Sequence, residues 1–383
     1  QAASLIKRFE IRENSSEPTS AKKKEIEAET INKKSEKGPI TVALLMPYRL
    51  KEFLASNRVR SNLFAYDYYQ GARLAVEKLQ SEGIKINLQS YDISNEEDLA
   101  LRLTREPLFQ ECELLIGPLY QKSIEVIQRF SERNKILMVN PLSTDGTILK
   151  DSKYAFLTHP SLDTQMKQVM KVAKDISPSP SAIIFYGNTS KDSLMATIYE
   201  NELKQNGGRL IQKIRFNNGV DTVAYKIPER LESKPSHIVL FSSDIKSGPS
   251  LMSGLSSRRL QDIPVIATSL SFDYQRHKPS SYNKRLFLIE TEDLNINRPS
   301  VVEFQQKYWN FSNTLPSIYA VQGYDHMLFF GRMLMKYRND PQLGIAIRRY
   351  TDEDFLLSGF DFTGSKDNAQ NSILKYDGSW VKY

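Results

Sequence analysis

The chain has 383 residues, 40% hydrophobic and 25% charged, with 52 basic against 45 acidic side chains for a formal net charge of +7. That length fits two or three domains with ample core, and no apolar run approaches the roughly 18 residues of a membrane-spanning helix. The single cysteine, Cys112, excludes an internal disulfide, and the mild charge, with its basic pairs Arg258-Arg259 and Arg348-Arg349 isolated and outside any motif, argues against nucleic-acid binding.

Residues 1–38 differ from everything after them. The stretch Asn14–Gly38 is rich in Ser, Lys and Glu, contains no aromatic residue and carries Lys22-Lys23-Lys24 and Lys33-Lys34. Such a composition buries too little apolar surface to offset the entropy of ordering it. A disordered charged tail or tether is therefore expected over 1–38.

Gly38-Pro39 closes the tail and a regular pattern begins. Ile40–Met46 reads as a buried strand. Asp67–Leu79 places Tyr69, Ala72, Val76 and Leu79 at i, i+3, i+7 and i+10, which predicts a helix buried on that face and stopped at Gly83. A strand over Ile84–Tyr91, a helix over Asn95–Arg105 and a strand over Leu114–Ile116 follow, the last ending at Gly117-Pro118. Ser123–Asn134 predicts a helix with Ile124, Ile127 and Phe130 inward, and Lys135–Val139 a strand ending at Asn140-Pro141. The alternation continues with helices over Leu162–Ile176, Asp192–Asn206, Ser300–Trp309 and Ser317–Tyr337. Strands are expected at Ala182–Tyr186, Arg209–Phe216, His237–Phe241, Pro264–Thr268 and Arg285–Glu290. Gly359, Gly364 and Asp377-Gly378 then punctuate short strands, as hairpins do.

Strand–helix alternation with buried apolar strands implies parallel sheets covered by helices. About ten strands exceed one comfortable sheet, so the expected fold is α/β, with two doubly wound Rossmann-like lobes. In such sheets ligands bind at the carboxyl ends of the strands.

Catalytic and cofactor signatures are missing. The sequence has no Gly-x-x-x-x-Gly-Lys-Ser/Thr loop, no Gly-x-Gly-x-x-Gly and no Gly-x-Ser-x-Gly elbow. Its four histidines, His159, His237, His277 and His326, contain no i, i+4 pair that would hold zinc on a helix. No catalytic residue, metal site or cofactor is expected. His326, beside Asp325, reads as a packing or surface residue, and Cys112 as a small semi-buried one. Tyr48 and Tyr120, at strand ends, carry rings that could stack on a ligand. Tyr186, Asn188, Ser242 and Ser269 end strands of the second lobe and could supply polar contacts, and His159 could line the cleft.

The order of three segments carries a resemblance. Ile40-Thr-Val-Ala-Leu-Leu-Met-Pro47 opens the fold, and Asp67-Tyr-Tyr-Gln-Gly-Ala-Arg-Leu-Ala-Val-Glu-Lys-Leu79 follows. Leu115-Ile-Gly-Pro-Leu119 then precedes a helix, a strand and Asn140-Pro-Leu-Ser-Thr144. This resembles the substrate-binding proteins of branched-chain amino-acid transporters, the type I periplasmic-binding class. Ala320-Val-Gln-Gly-Tyr-Asp325, Gly359-Phe-Asp-Phe-Thr-Gly364 and Ile373-Leu-Lys-Tyr-Asp-Gly378 are similar to later parts of that family. The resemblance implies lobes of 39–157 plus 293–352 and 158–292 plus 353–383, hinged by three crossings near Leu157–Pro160, Glu290–Asn295 and Tyr350–Leu356. It implies export to the periplasm or cell envelope and a small polar, amino-acid-like ligand clamped between the lobes, without enzymatic activity.

In that family a ligand carboxylate meets Ser or Thr and backbone N–H groups in two loops. Here those loops hold Leu119, Tyr120 and Gln121, then Leu142, Ser143 and Thr144. Gln121 replaces the usual serine, and the Ala267–Phe272 loop offers no acidic residue for an α-ammonium. Leu44-Leu45-Met46-Pro47, Ile116-Gly-Pro-Leu119 and Val139-Asn140-Pro141 are also similar to the C-terminal domain of outer-membrane lipoproteins that activate penicillin-binding proteins. That likeness implies an envelope-protein partner in peptidoglycan synthesis, with the N-terminal tether near peptidoglycan or membrane.

Overall fold

The structure is a computed structural model and describes residues 38–50, 52, 62–217, 222–231, 233–273, 285–340, 349–350 and 355–383. Residues 1–37 of the expected tail lie outside the described residues, as do His277 and residues 351–354 of the expected third crossing. Two compact units divide the chain. The described parts of Gln1–Leu142, Ile148–Phe156 and Asn297–Ile347 form the first, and those of Ser143–Thr147, Leu157–Ile296 and Arg348–Tyr383 the second.

In chain order the elements begin with β1 (Ile40–Met46), α1 (Leu63–Ser81), β2 (Ile86–Asp92), α2 (Glu97–Leu103), α3 (Pro107–Gln110), β3 (Leu114–Ile116), α4 (Gln121–Asn134), β4 (Leu137–Asn140) and β5 (Ala155–Leu157). The second unit continues with α5 (Leu162–Ile176), β6 (Ser181–Tyr186), α6 (Ser190–Gln205), β7 (Arg209–Arg215), α7 (Thr222–Lys226), β8 (His237–Phe241), α8 (Ser247–Ser257), β9 (Val265–Thr268) and β10 (Leu286–Ile289). Helices α9 (Pro299–Ser312) and α10 (Ile318–Tyr337) belong to the first unit. The second closes with β11 (Arg349–Tyr350), β12 (Phe360–Asp361), β13 (Ile373–Tyr376) and β14 (Trp380–Lys382).

The first unit's sheet runs β2-β1-β3-β4-β5, with β1 parallel to β2 and β3, and β3 parallel to β4. Strands β3 and β4 are buried along their whole length, as their sequences, apolar but for Asn140 at the end of β4, require. Helices α1 and α10 lie side by side and parallel. Phe64 meets Tyr319 near their starts, and Arg332 pairs with Glu82 at 2.8 Å near their ends.

The buried face of α1 corrects the sequence expectation. It carries Ala65, Tyr68, Gly71, Ala72, Ala75 and Leu79, while Tyr69 and Val76 are only half-buried. The reason is the partner helix. A methyl group on Gly71 would overlap the Ala320 carbonyl oxygen, and one on Gly323 the Tyr68 carbonyl oxygen. The seam is made where the backbones can touch, and small residues decide that rather than the largest apolar ones. Tyr68 donates or accepts a 2.7 Å hydrogen bond with His326 Nδ1 inside this seam, so His326 is a packing residue.

The second unit's sheet runs β14-β13-β10-β9-β8-β6-β7. Strands β7, β6, β8, β9 and β10 are parallel, and β13 and β14 join antiparallel. Alternate residues of its strands face two cores. Ile184, Val239 and Ile266 pack with Met166, Val169 and Tyr199 of α5 and α6. Ile183, Leu240 and Val265 pack with Val223 of α7 and Leu251 and Leu255 of α8. The two layers of helices explain why the strands are apolar on both faces.

Three differences from the sequence reading have local causes. The expected helix over Asn95–Arg105 ends at Leu103, and a separate turn starts with Pro107 at its first position. Cys112 is fully buried, with its Sγ 3.6 Å from the Leu108 carbonyl. Helix α8 (SGPSLMSGLSS) was not expected, because Gly, Pro and Ser are weak helix formers. It forms because Gly248 and Gly254 let it approach Ser271 and Ala224 more closely than any side chain would allow.

Candidate functional site

Both sheets contain the same reversal of strand order. In β2-β1-β3-β4 it falls between β1 and β3, and in β7-β6-β8-β9 between β6 and β8. At such a point adjacent loops diverge to opposite faces and leave a crevice outside the carboxyl ends, where open α/β sheets hold ligands. The loops after β1 and β3 are the candidate site of the first unit, and those after β6 and β8 the candidate site of the second.

In the first unit the loop after β3 is pressed against β1. Gly117 has φ +94° and a methyl there would overlap the Leu45 carbonyl oxygen, so this position admits only glycine without strain. Asn140, at the end of β4, holds this loop and its own together. Its Nδ2 donates to the Pro118 carbonyl at 3.0 Å, and its Oδ1 accepts from the Leu142 N–H at 3.2 Å. Replacing Asn140 by alanine leaves both backbone groups without these bonds. A stability loss of about 1–3 kcal/mol is expected, read as a lower urea midpoint, with faster amide exchange at Leu142.

Tyr48 is 4% exposed. Its ring packs against Tyr66 and Tyr69, with centroids 5.4 and 6.4 Å away, and its hydroxyl lies 2.5 Å from Ser90 Oγ. Burial raises its pKa well above the usual phenol range. Asp92 then fixes the loop after β1 by accepting from the N–H groups of Arg49 and Leu50, both at 2.9 Å. Leu119, Tyr120 and Leu142 are half-buried, and Gln121 is exposed at the start of α4 with its amide 3.0 Å from Glu125 Oε1.

In the second unit Ser143 Oγ accepts from the Asp145 N–H at 3.0 Å, and the Thr144 carbonyl accepts from the Leu162 N–H at 3.0 Å. His159 is buried. Two residues on, Ser161 caps α5 by accepting from the Thr164 N–H at 3.2 Å and donates its own N–H to Asp367 Oδ2 at 2.7 Å. Burial pushes the Asp367 carboxyl upward, but hydrogen bonds from Ser365, Thr164 and Ser161 outweigh it and hold the pKa below the ordinary range.

Tyr186 is half-buried under Lys213 Nζ, 5.6 Å from its ring centre, and Asn188 is exposed. Thr189 and Asp192 form a capping box at the start of α6. Ser242 is fully buried. Its N–H donates to Thr268 Oγ1 at 3.0 Å, its carbonyl accepts from that hydroxyl at 2.6 Å, and its Oγ accepts from the Asp244 N–H at 3.1 Å. Ser269 begins the short turn after β9 and is buried. The structure thus places Tyr48, Leu119, Tyr120 and Gln121 beside the first reversal, and Tyr186, Asn188 and Ser242 beside the second.

The sequence reading missed the groups that hold these loops: Ser90, Asp92, Asp192, Thr268 and Asp367. Only Thr189-x-x-Asp192 carried a readable signal, the capping-box spacing. The others act across long sequence separations. Among the described residues no group of three or more His, Cys, Asp or Glu side chains is placed to hold a metal ion, and no helix is long and apolar enough to cross a membrane.

Doubly wound sheets with this reversal of strand order define the α/β fold of the type I periplasmic binding class. Residues 62–346, more than half of the chain, match the model of the periplasmic binding protein family, and the chain belongs to that family. No curated protein matches the sequence. Among solved structures, the chain is similar to one assigned to a branched-chain amino acid ABC transporter from Rhodospirillum rubrum (TM-score 0.66, 14% identity, covering 90% of this chain and 100% of that one). It is also similar to an ABC transporter substrate-binding protein from Desulfitobacterium hafniense in complex with leucine (TM-score 0.54, 16% identity, 90% and 100% covered). A third is a solute-binding protein of an ABC transporter from Rhodopseudomonas palustris in complex with 3,4-dihydroxybenzoic acid (TM-score 0.53, 16% identity, 90% and 96% covered). At these identities the likeness establishes the fold.

Proposed function

We propose that the protein is a non-enzymatic solute receptor of the periplasm or cell envelope that takes a small organic ligand at the carboxyl-end loops of its sheets. The observation that carries this is the repeated reversal of strand order, which puts β1, β3, β6 and β8 loops where open sheets hold ligands, in a chain of the periplasmic binding protein family. Ligands named for structurally similar proteins, leucine and 3,4-dihydroxybenzoic acid, share a carboxylate and differ in all else, so they support a small carboxylate-bearing ligand. The loops are held by groups such as Asn140, Asp92 and Thr268, which keeps the site in shape before ligand arrives and lowers the cost of binding.

Thermal unfolding of the full chain in a panel of amino acids, aliphatic and aromatic carboxylates, sugars and peptidoglycan fragments tests the reading. A ligand of the folded state stabilises by about 2.7 kcal/mol at a hundredfold excess over its Kd, and one chemical class should raise the midpoint. An unmoved midpoint across the panel would overturn the proposal.

A further inference from the structure

Gly38 and Pro39 lead into β1, and both are exposed. Pro39 has no N–H to give to a neighbouring strand, and the ladder to β2 starts one residue later, with the Ile40 N–H on the Lys85 carbonyl at 2.9 Å. A methyl added at Gly38 would meet no atom within 4 Å, so packing does not hold this residue. Arg338, the residue after α10, does. Its Nη1 donates to the Gly38 carbonyl at 2.8 Å and its Nη2 to the Pro39 carbonyl at 3.3 Å. The same guanidinium forks onto Glu113, Nε to Oε2 at 2.6 Å and Nη2 to Oε1 at 2.5 Å.

Each end of this clamp is itself fixed. Glu113 stands before β3 and donates its N–H to the Thr41 carbonyl of β1 at 2.8 Å. Arg338 follows a helix whose seam with α1 is set by Gly71 and Gly323. Two of the four guanidinium bonds go to one carboxylate, a geometry that a lysine cannot reproduce. The clamp sits at the amino end of β1. The candidate-site loop from Tyr48 to Leu50 follows the strand's other end, about 20 Å away at the rise of an extended chain. A pull along β1 that slipped it by one residue against β2 and β3 would exchange its two faces and displace that loop.

We propose that Arg338 is the fastening residue of the N-terminal segment. It ties Gly38-Pro39 to α10 and Glu113, so that a pull arriving through residues 1–37 ends there and leaves β1 and its loop in register. Arg338 acts as a positioning residue through the two backbone carbonyls, and Glu113 aims its fork. This role is independent of the solute-receptor reading.

Amide exchange on the full chain tests it. In Arg338→Met, which keeps an unbranched stem, the Ile40 N–H should exchange about tenfold faster, since a hydrogen bond to a charged group is worth at least that factor in an opening equilibrium. Leu44, in the middle of β1, and Val169, in the second unit, should keep their wild-type rates, which separates a loosened fastening from a weakened fold. Arg338→Lys should recover part of the protection. Glu113→Gln, which leaves the carbonyl bonds in place, should raise the Ile40 rate less than Arg338→Met does. Should Arg338→Met not fold, Arg338→Lys against Glu113→Gln carries the same comparison. A pull supplies the second arm, between handles on thiols at Gln1→Cys and the exposed Thr314→Cys, Cys112 being buried. The first unit should open at a lower force once Arg338→Met is added. An unchanged Ile40 rate in folded Arg338→Met would overturn the proposal. So would equal acceleration at Ile40, Leu44 and Val169, a larger effect of Glu113→Gln than of the Arg338 variants, or an unchanged opening force.

Discussion

Gly71→Ala should cost the first unit about 3 kcal/mol, near the top of the range for overpacking. The methyl would overlap the carbonyl oxygen of Ala320, a backbone atom in the middle of the α1–α10 seam. A crowded side chain can change rotamer, but a backbone carbonyl can retreat only by moving its whole helix. That helix is held by the Tyr68–His326 hydrogen bond, the Phe64–Tyr319 ring contact and the Arg332–Glu82 pair. Gly323→Ala meets the Tyr68 carbonyl in the same way and should cost a similar amount. Gly364→Ala, where no atom lies within 4 Å of the added carbon, should stay within about 0.5 kcal/mol of wild type. Calorimetric scans of the three variants check this. For a unit of this size 3 kcal/mol corresponds to a midpoint fall of about 6–12 °C. An unshifted Gly71→Ala transition would mean that the helices separate at no cost, which contradicts the seam.

Lowering the pH from 6.5 to 4 should remove roughly 3 kcal/mol of stability through one residue, His237. The ring is fully buried at the start of β8, with Tyr199 OH 2.5 Å from Nε2 and Ser236 Oγ 2.9 Å from Nδ1. Ser236 Oγ already spends its proton on the Ser181 carbonyl, so it accepts from Nδ1–H. Nε2 is then the acceptor for the Tyr199 hydroxyl, which defines a neutral tautomer. Burial lowers the pKa of His237 from 6.5 to about 4. The unfolded chain therefore takes up a proton as the pH falls through 6.5, while the folded chain resists until about 4. The contribution is complete above 6.5 and is lost across that window. Urea midpoints of wild type and His237→Asn between pH 7 and 4 isolate it, because carboxylate titration is common to both. Parallel pH profiles would show that His237 protonates freely in the fold.

Much of the fold was legible in the sequence. Strands such as Ile40–Met46, Leu114–Ile116 and His237–Phe241 are short apolar runs bounded by turn residues, and their bounds are those of β1, β3 and β8. The expected helix over Leu162–Ile176 likewise has the bounds of α5. Burial on both faces of a parallel sheet leaves a continuous signature, and helical periodicity leaves another. Neither signature reaches an element whose stability comes from elsewhere. Helix α8, with its Gly, Pro and Ser, exists because its glycines admit Ser271 and Ala224. Strand β5 (Ala155–Leu157) is three residues long, too short for alternation to register.

The candidate site divides along the same line. The strand ends, and with them Tyr48, Tyr120, Gln121, Asn188 and Ser242, could be found from the sequence, because a strand's end is a local event. What each side chain does there was decided by residues far away in the chain. Ser90 takes up the hydroxyl of Tyr48, Thr268 ties the backbone of Ser242, and Asp367 holds the N–H of Ser161 from 206 positions further on. The sequence by itself determined the class of fold, since periodicity and burial are written residue by residue. Which hydroxyls face inward only the tertiary structure decided, because a polar group's free valence depends on the partner that folding brings to it.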